Sequence, residues 1–300
     1  MSTPTVSPAL ARAQRSLDGL SLGDALGERF FIPDNLQGLL TRSLPSLPWT
    51  VTDDTEMAIA VFDVLKALGC IDQDMLARTF ASRFARDPMR GYGAGAGHLL
   101  REMLMGGSWR ALSRGLFEGQ GSFGNGGAMR AAPLGAFFAD ASDDELITQA
   151  TLSAEVTHAN PEGQAGAVAV ALAAAYAWRT KDQPLVERAK LLQFVCDSMP
   201  DTQTRAGIAQ ALALGLDASV ALAASVLGTG QRVSAMDTVP FALWCAARAL
   251  GDYEEAFWIT VSGLGDRDTT CAIVGGIVAL RSAPPARWLE QREPLRHDAL

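Results

Sequence analysis

The chain has 300 residues, 48% of them hydrophobic and 19% charged, with a formal net charge of -8; it is long enough and apolar enough to fill a sizeable core. No run of Lys or Arg offers the basic face that a phosphate backbone requires, so nucleic acid is not an expected partner. A small anion remains compatible, because helix starts and Gly turns hold phosphate through backbone N–H groups with little net positive charge.

The N-terminal ten residues lack a basic stretch followed by an apolar core, and no segment reaches the roughly 18 consecutive apolar residues of a membrane span. Cys70, Cys196, Cys245 and Cys271 are scattered without CxxC spacing. They are expected to be buried free thiols in a reducing compartment, and cytoplasmic residence follows as the default.

Along the chain, Gly23-Asp24-Ala25-Leu26-Gly27 is the first of three Gly-rich segments, suited either to a ligand's approach or to close helix contact. Thr52-Asp53-Asp54-Thr55 comes next, directly before a helix whose Met57, Val61, Val64, Leu65 and Leu68 share one face. A helix is predicted over 74–86. The other two Gly-rich segments follow: 91–97, beside Arg90, and 124–130, ending in Arg130. Both arginines suit helix-end or surface positions. Helices are then predicted over 144–157, 163–179, 185–198, 202–214, 241–250 and 253–262, punctuated by Pro133, Pro161 and Pro200. His158, just ahead of Asn160-Pro161, suits a cap where one of them stops. Last, Asp266-Arg267-Asp268-Thr269 precedes an apolar helix over 269–280. Strand-like alternation is almost absent, and no repeat or linker divides the chain, so the expected architecture is one all-α domain over 1–300.

The two Asp/Thr clusters each suit a helix N-cap, which Asp and Thr favour because their oxygens accept from the first free N–H groups. A cap needs one such side chain, however, and adjacent carboxylates repel unless a cation or solvent lies between them. The surplus points to a metal. Hard carboxylate and hydroxyl oxygens, with no His or Cys among them, suit magnesium, manganese or calcium rather than zinc. One cluster lies early in the chain and the other late, which is the pattern of a central site assembled by the fold.

Read in order, GDALGE at 23–28, TDDTEMA at 52–58, RGYGAG at 90–95, GNGGAMR at 124–130, THAN at 157–160 and GDRDTT at 265–270 resemble the ADP-ribosylglycohydrolase family. The resemblance implies an orthogonal all-α bundle with a central binuclear metal cleft, holding two Mg2+ for which Mn2+ can substitute. Its implied reaction is hydrolysis of the bond between ADP-ribose and an acceptor, a protein side chain or a small conjugate, by a monomeric enzyme. Thr52, Asp53 and Asp54 would bind one metal, and Asp266, Asp268 and Thr269 the other, with Asp268 bridging. The loops Gly91, Tyr92, Gly93, Ala94, Gly95 and Gly124, Asn125, Gly126, Gly127, Met129 would hold the diphosphate and ribose, with His158 lining the cleft. Water would be activated by the metals or by Asp53, Asp54 or Glu28. The sequence departs from the family at Phe31, where members often carry a Glu acting near the second metal; Glu28 is the nearby acid. Two other functions compete: a two-metal hydrolase of nucleotides or sugar phosphates, and an inactive ADP-ribose sensor or structural member.

Overall fold

Residues 7–184 and 187–300 are described by a computed structural model. Its architecture is organised by two helices that touch backbone to backbone. The first, α1 (Pro8–Arg29), begins with Pro in its first turn, where a missing N–H costs nothing. It is buried almost continuously from Arg12 to Gly27. Gly19, Gly23 and Gly27 recur every fourth residue and so share a face. That face lies on α16 (Arg267–Val278): a Cβ on Gly23 would sit 2.1 Å from the Cys271 carbonyl oxygen, and one on Gly27 2.4 Å from that of Arg267. The segment at 23–27 is therefore a helix contact, not a loop.

After α1 come the one-turn α2 (Gly38–Thr41), then α3 (Asp53–Leu68) and α4 (Gln73–Arg86). The short α5 (Ala94–Leu104), α6 (Trp109–Gly119), α7 (Gly126–Met129) and α8 (Ala132–Phe137) follow. Next are α9 (Asp143–Glu155) and the Ala-rich α10 (Pro161–Arg179). The rest of the chain supplies α11 (Lys190–Ser198), α12 (Gln203–Leu214), α13 (Val220–Leu227), α14 (Ala235–Arg248), α15 (Tyr253–Val261), α16 and α17 (Ala286–Leu289). Thr52, Asp72, Ser142, Asn160, Thr202, Ser219 and Asp252 each accept a backbone N–H at the start of a helix, which explains why the helices begin where they do.

The second organiser is α10. From Ala165 to Ala177 only Tyr176 is not fully buried, and the small side chains admit α7, α8, α9, α11, α14 and α16 around it. No strand is present among the described residues beyond two isolated bridges, Trp49 with Arg292 and Gly124 with Ser234. The expected all-α class is what the structure has. Among the described residues no helix is long and apolar enough to cross a membrane. The helix predicted over 185–198 is present as α11 from Lys190, its first two residues lying outside the described ones. The four cysteines are free, as expected, but Cys70 is exposed because the chain turns at left-handed Gly69 after α3 and carries it outward.

Candidate active site

Asp24, on the buried side of α1, is the foundation on which the first cluster stands. Its Oδ2 accepts the Thr52 N–H at 2.9 Å and the Thr55 N–H at 3.3 Å, and also the Thr55 hydroxyl. Its Oδ1 accepts the Thr52 hydroxyl at 2.7 Å. Thr52 Oγ1 in turn caps α3 by accepting the Asp54 N–H at 3.3 Å, so the cap role expected of it is real. The Asp53 N–H donates to the Arg90 carbonyl at 2.7 Å, which ties α3 to the first Gly-rich loop. Gly91, with φ of +95°, lies against the carboxylate it serves: a Cβ there would come 3.3 Å from Asp53 Oδ1.

The second cluster arrives on α16, which the Gly stripe holds against α1. The Thr269 hydroxyl donates to Asp54 Oδ2 at 3.4 Å, so residues 215 positions apart share an oxygen. Asn125 reaches from the second Gly-rich loop and donates to Asp266 Oδ2 at 2.7 Å and to Thr238 Oγ1 at 3.0 Å. The same loop is pinned to the start of α14 by the Ala235 N–H, which donates to the Phe123 carbonyl at 3.0 Å.

Burial and mutual repulsion dominate the electrostatics. Asp24 is pushed up to about 7, by burial first and then by Asp268, against the hydrogen bonds from Thr55 and Thr52. Burial and Asp268 likewise push Asp266 to about 8 and raise Asp53 and Asp54 well above the usual carboxylate range. Asp54 Oδ1 and Asp268 Oδ1 are buried without a hydrogen-bond partner. Among the described residues, no three His, Cys, Asp or Glu side chains close around a common point, so the cluster is open. Its chemistry still fits a hard divalent cation. The donors are all oxygen, two are orphaned, and repulsion between these carboxylates is what such a charge relieves.

The cleft over the clusters has a volume of about 570 Å³, within the range of small-ligand sites. Asp53, Asp54, Asp266, Asp268 and Thr269 line it together with Gly91, Gly93, Ala94, Gly95, Gly124, Asn125, Gly126, Met129 and His158. Four expected residues do not line it. Thr52 lies beneath, bonded to Asp24. Tyr92 turns away and packs edge-on against Phe84, ring centroids 5.0 Å apart. Gly127 lies under the ring of His158, where a Cβ would come 3.7 Å from Cγ. Glu28 stays half-buried near the end of α1, its carboxyl raised by burial and by Asp268. Phe31 is exposed and does not line the cleft, with the Arg267 guanidinium 4.8 Å over its ring.

Several residues at the site carry little signal in the sequence. For Asp24 it is only an acid flanked by small residues inside a helix. Phe117 and Phe123 line the cleft with ring centroids 5.3 Å apart. Phe117 and Glu118 both adopt left-handed backbone, φ +52° and +58°, and this break in α6 puts an exposed Phe117 ring on the rim. Nothing in local composition announces that break. Arg232 and Val233 also line the cleft, beside Gly124, where a Cβ would come 3.4 Å from the Val233 carbonyl oxygen. Arg130 stands at a helix end, as the C-cap of α7, but it is wholly buried rather than at the surface, with its guanidinium 4.6 Å over the Phe80 ring.

A family model described as ADP-ribosylglycohydrolase matches residues 5–300. Human ADP-ribosylhydrolase ARH3 is 30% identical over 312 residues, spanning 90% of this chain and 85% of the human protein. The chicken ADP-ribosylhydrolase ARH3 is 30% identical over 298 residues, spanning 93% of this chain and 72% of its own length. An uncharacterized protein of Archaeoglobus fulgidus is 30% identical over 286 residues, spanning 91% and 88%. A solved ADP-ribosylglycohydrolase-related protein complex has a chain of like fold, with a TM-score of 0.65 and 21% identity over 96% of this chain and 94% of that one.

Proposed function

The chain belongs to the ADP-ribosylglycohydrolase family, and on that premise we propose that it hydrolyses the bond linking ADP-ribose to a protein side chain, with two divalent cations of the magnesium type. The observation that carries the reading is the shared oxygen: Thr269 donates to Asp54 across two helices, so both acidic clusters face one cleft.

The chain's own groups fit each part of such a substrate. Gly91 and Gly93 on one side and Gly124 and Gly126 on the other leave backbone open to a diphosphate. Arg232 brings a positive charge to the wall, and the exposed Phe117 ring offers an apolar plane to a base. Cleavage at the anomeric carbon passes through a cationic, oxocarbenium-like state, which a cluster of carboxylates stabilises. Asp53 or Asp54, both lining the cleft, takes a proton from the attacking water while the acceptor leaves with one, so ADP-ribose and the free side chain are the products. Cations held by Thr52, Asp53, Asp54, Asp266, Asp268 and Thr269 would supply fixed positive charge that keeps the carboxylates ionised and orders the ribose hydroxyls. Phe31 cannot perform the proton transfers of a Glu, which leaves Glu28 as the acid nearest the second cluster at the end of α1.

The test is release of ADP-ribose from arginine-linked and serine-linked proteins, run with magnesium and with EDTA. Magnesium-dependent release from either supports the reading and names the linkage, and Asp53→Ala or Asp268→Ala should lower it by at least about a hundredfold. No release from any conjugate would overturn it. If ADP-ribose still bound in calorimetry, the protein would be a sensor.

A further inference from the structure

His158 stands in a chain of three side chains that the reaction does not by itself require. Arg130 is completely buried and donates through Nη2 to Thr157 Oγ1 at 2.8 Å and to the Ser153 carbonyl at 3.1 Å; Nη1 donates to the Gly126 carbonyl at 2.7 Å. Thr157 Oγ1 lies 2.7 Å from His158 Nδ1. The other ring nitrogen, Nε2, makes no hydrogen bond among the described residues. It faces the space above the second Gly-rich loop, where a Cβ on Gly124 or on Gly126 would come 3.2 Å from it.

We propose that Thr157 is a positioning residue that fixes His158 in the tautomer with its proton on Nε2, making it a neutral hydrogen-bond donor to an oxygen of the ligand in the cleft. Direction follows from the donor inventory. A guanidinium only donates, so Thr157 Oγ1 must accept from Arg130. Its single hydroxyl hydrogen then has one available acceptor, His158 Nδ1. A neutral imidazole that accepts at Nδ1 carries its proton at Nε2. Burial and the neighbouring Arg130 push the imidazole down to about 3, which agrees with a ring that stays neutral. Such a ring cannot take a proton at Nε2, so His158 binds and orients, and the base must be sought among the carboxylates. The absent side chains of Gly124 and Gly126 leave the donor unobstructed, which suits a phosphate or ribose oxygen. Only the identity of that ligand rests on the ADP-ribose reading.

The chain has three histidines, so long-range proton–nitrogen correlation spectra of the free, 15N-labelled protein are tractable, with His158→Asn identifying the signal. The expected pattern for His158 is a pyridine-type Nδ1 and a pyrrole-type Nε2. Thr157→Val, which keeps the shape and removes the hydroxyl, should replace it with a tautomeric mixture and weaken ADP-ribose binding roughly five- to tenfold. Thr157→Ser should restore both. A wild-type ring protonated on Nδ1, a Val variant with unchanged tautomer and affinity, or a Ser variant as defective as Val would each overturn the proposal. Absence of ADP-ribose binding to the unaltered protein would overturn the functional reading alone, because the tautomer is measured without ligand.

Discussion

Asp24 receives four donors, two of them backbone N–H groups at the first turn of α3. None of those donors has water available as a substitute, since Thr52, Thr55 and Asp24 are all buried. Asp24→Ala would therefore strand them and remove the brace between α1 and α3. The expected loss is about 3 kcal/mol of stability, measured as a lower denaturant midpoint with unchanged slope. Asp24→Asn keeps the shape and one good acceptor, so it should cost only about 1 kcal/mol. An alanine variant with the wild-type midpoint would show that Asp24 does not support the cluster.

Among the elements, α1 and α16 carry the site, and their separation is set by the absence of side chains at Gly19, Gly23 and Gly27. A methyl group at Gly23 meets backbone, which cannot rotate aside. Gly23→Ala should thus destabilise by about 2–3 kcal/mol and, by moving Asp268 and Thr269 away from Asp54, reduce turnover as well. Thermal melting with a turnover assay checks both, and a variant with wild-type stability would mean the two helices can part without strain. The motif GDALGE was legible as a feature, but α1 was not legible as a helix. A helix buried on nearly all sides has small residues and Ser where an amphipathic one shows an apolar stripe. The helix predicted over 241–250 starts earlier, at Ala235, and carries Pro240 in its interior. Its ring is accommodated beside Gly207 of α12, where a Cβ would come 2.5 Å from Pro240 Cγ. By contrast α3, α4, α9, α10, α12, α15 and α16 follow from periodicity and caps within a few residues. The lining acids were legible because surplus carboxylates stand beside helix starts. Phe117 and the burial of Arg130 were not, since the first depends on a backbone break and the second on where the end of α7 is packed.

The molecule as a whole gathers the buried Asp24, Asp53 and Asp54 beside the half-buried Asp266 and Asp268, and this concentration of like charge has a signature in stability. An unfolded aspartate titrates near its ordinary 3.8, whereas folded Asp24 titrates at about 7 and Asp266 at about 8. Between those values the folded state holds more protons than the unfolded one, so stability is fully present below about pH 4 and is lost as pH rises through 7 to 8. For the fully buried Asp24 the slope is about 1.4 kcal/mol per pH unit within its window. Protein stripped with EDTA should accordingly melt at progressively lower temperature from pH 5 to pH 8. Magnesium binds the ionised carboxylates, so it competes with the protons and should raise the melting temperature much more at pH 8 than at pH 5. Asp54→Asn removes one of the charges and should flatten both trends. A melting temperature insensitive to pH without metal would mean the clusters are solvated rather than buried. Equal stabilisation by magnesium at both pH values would mean that the cation binds elsewhere, since at this site its affinity depends on removing protons that the fold itself holds in place.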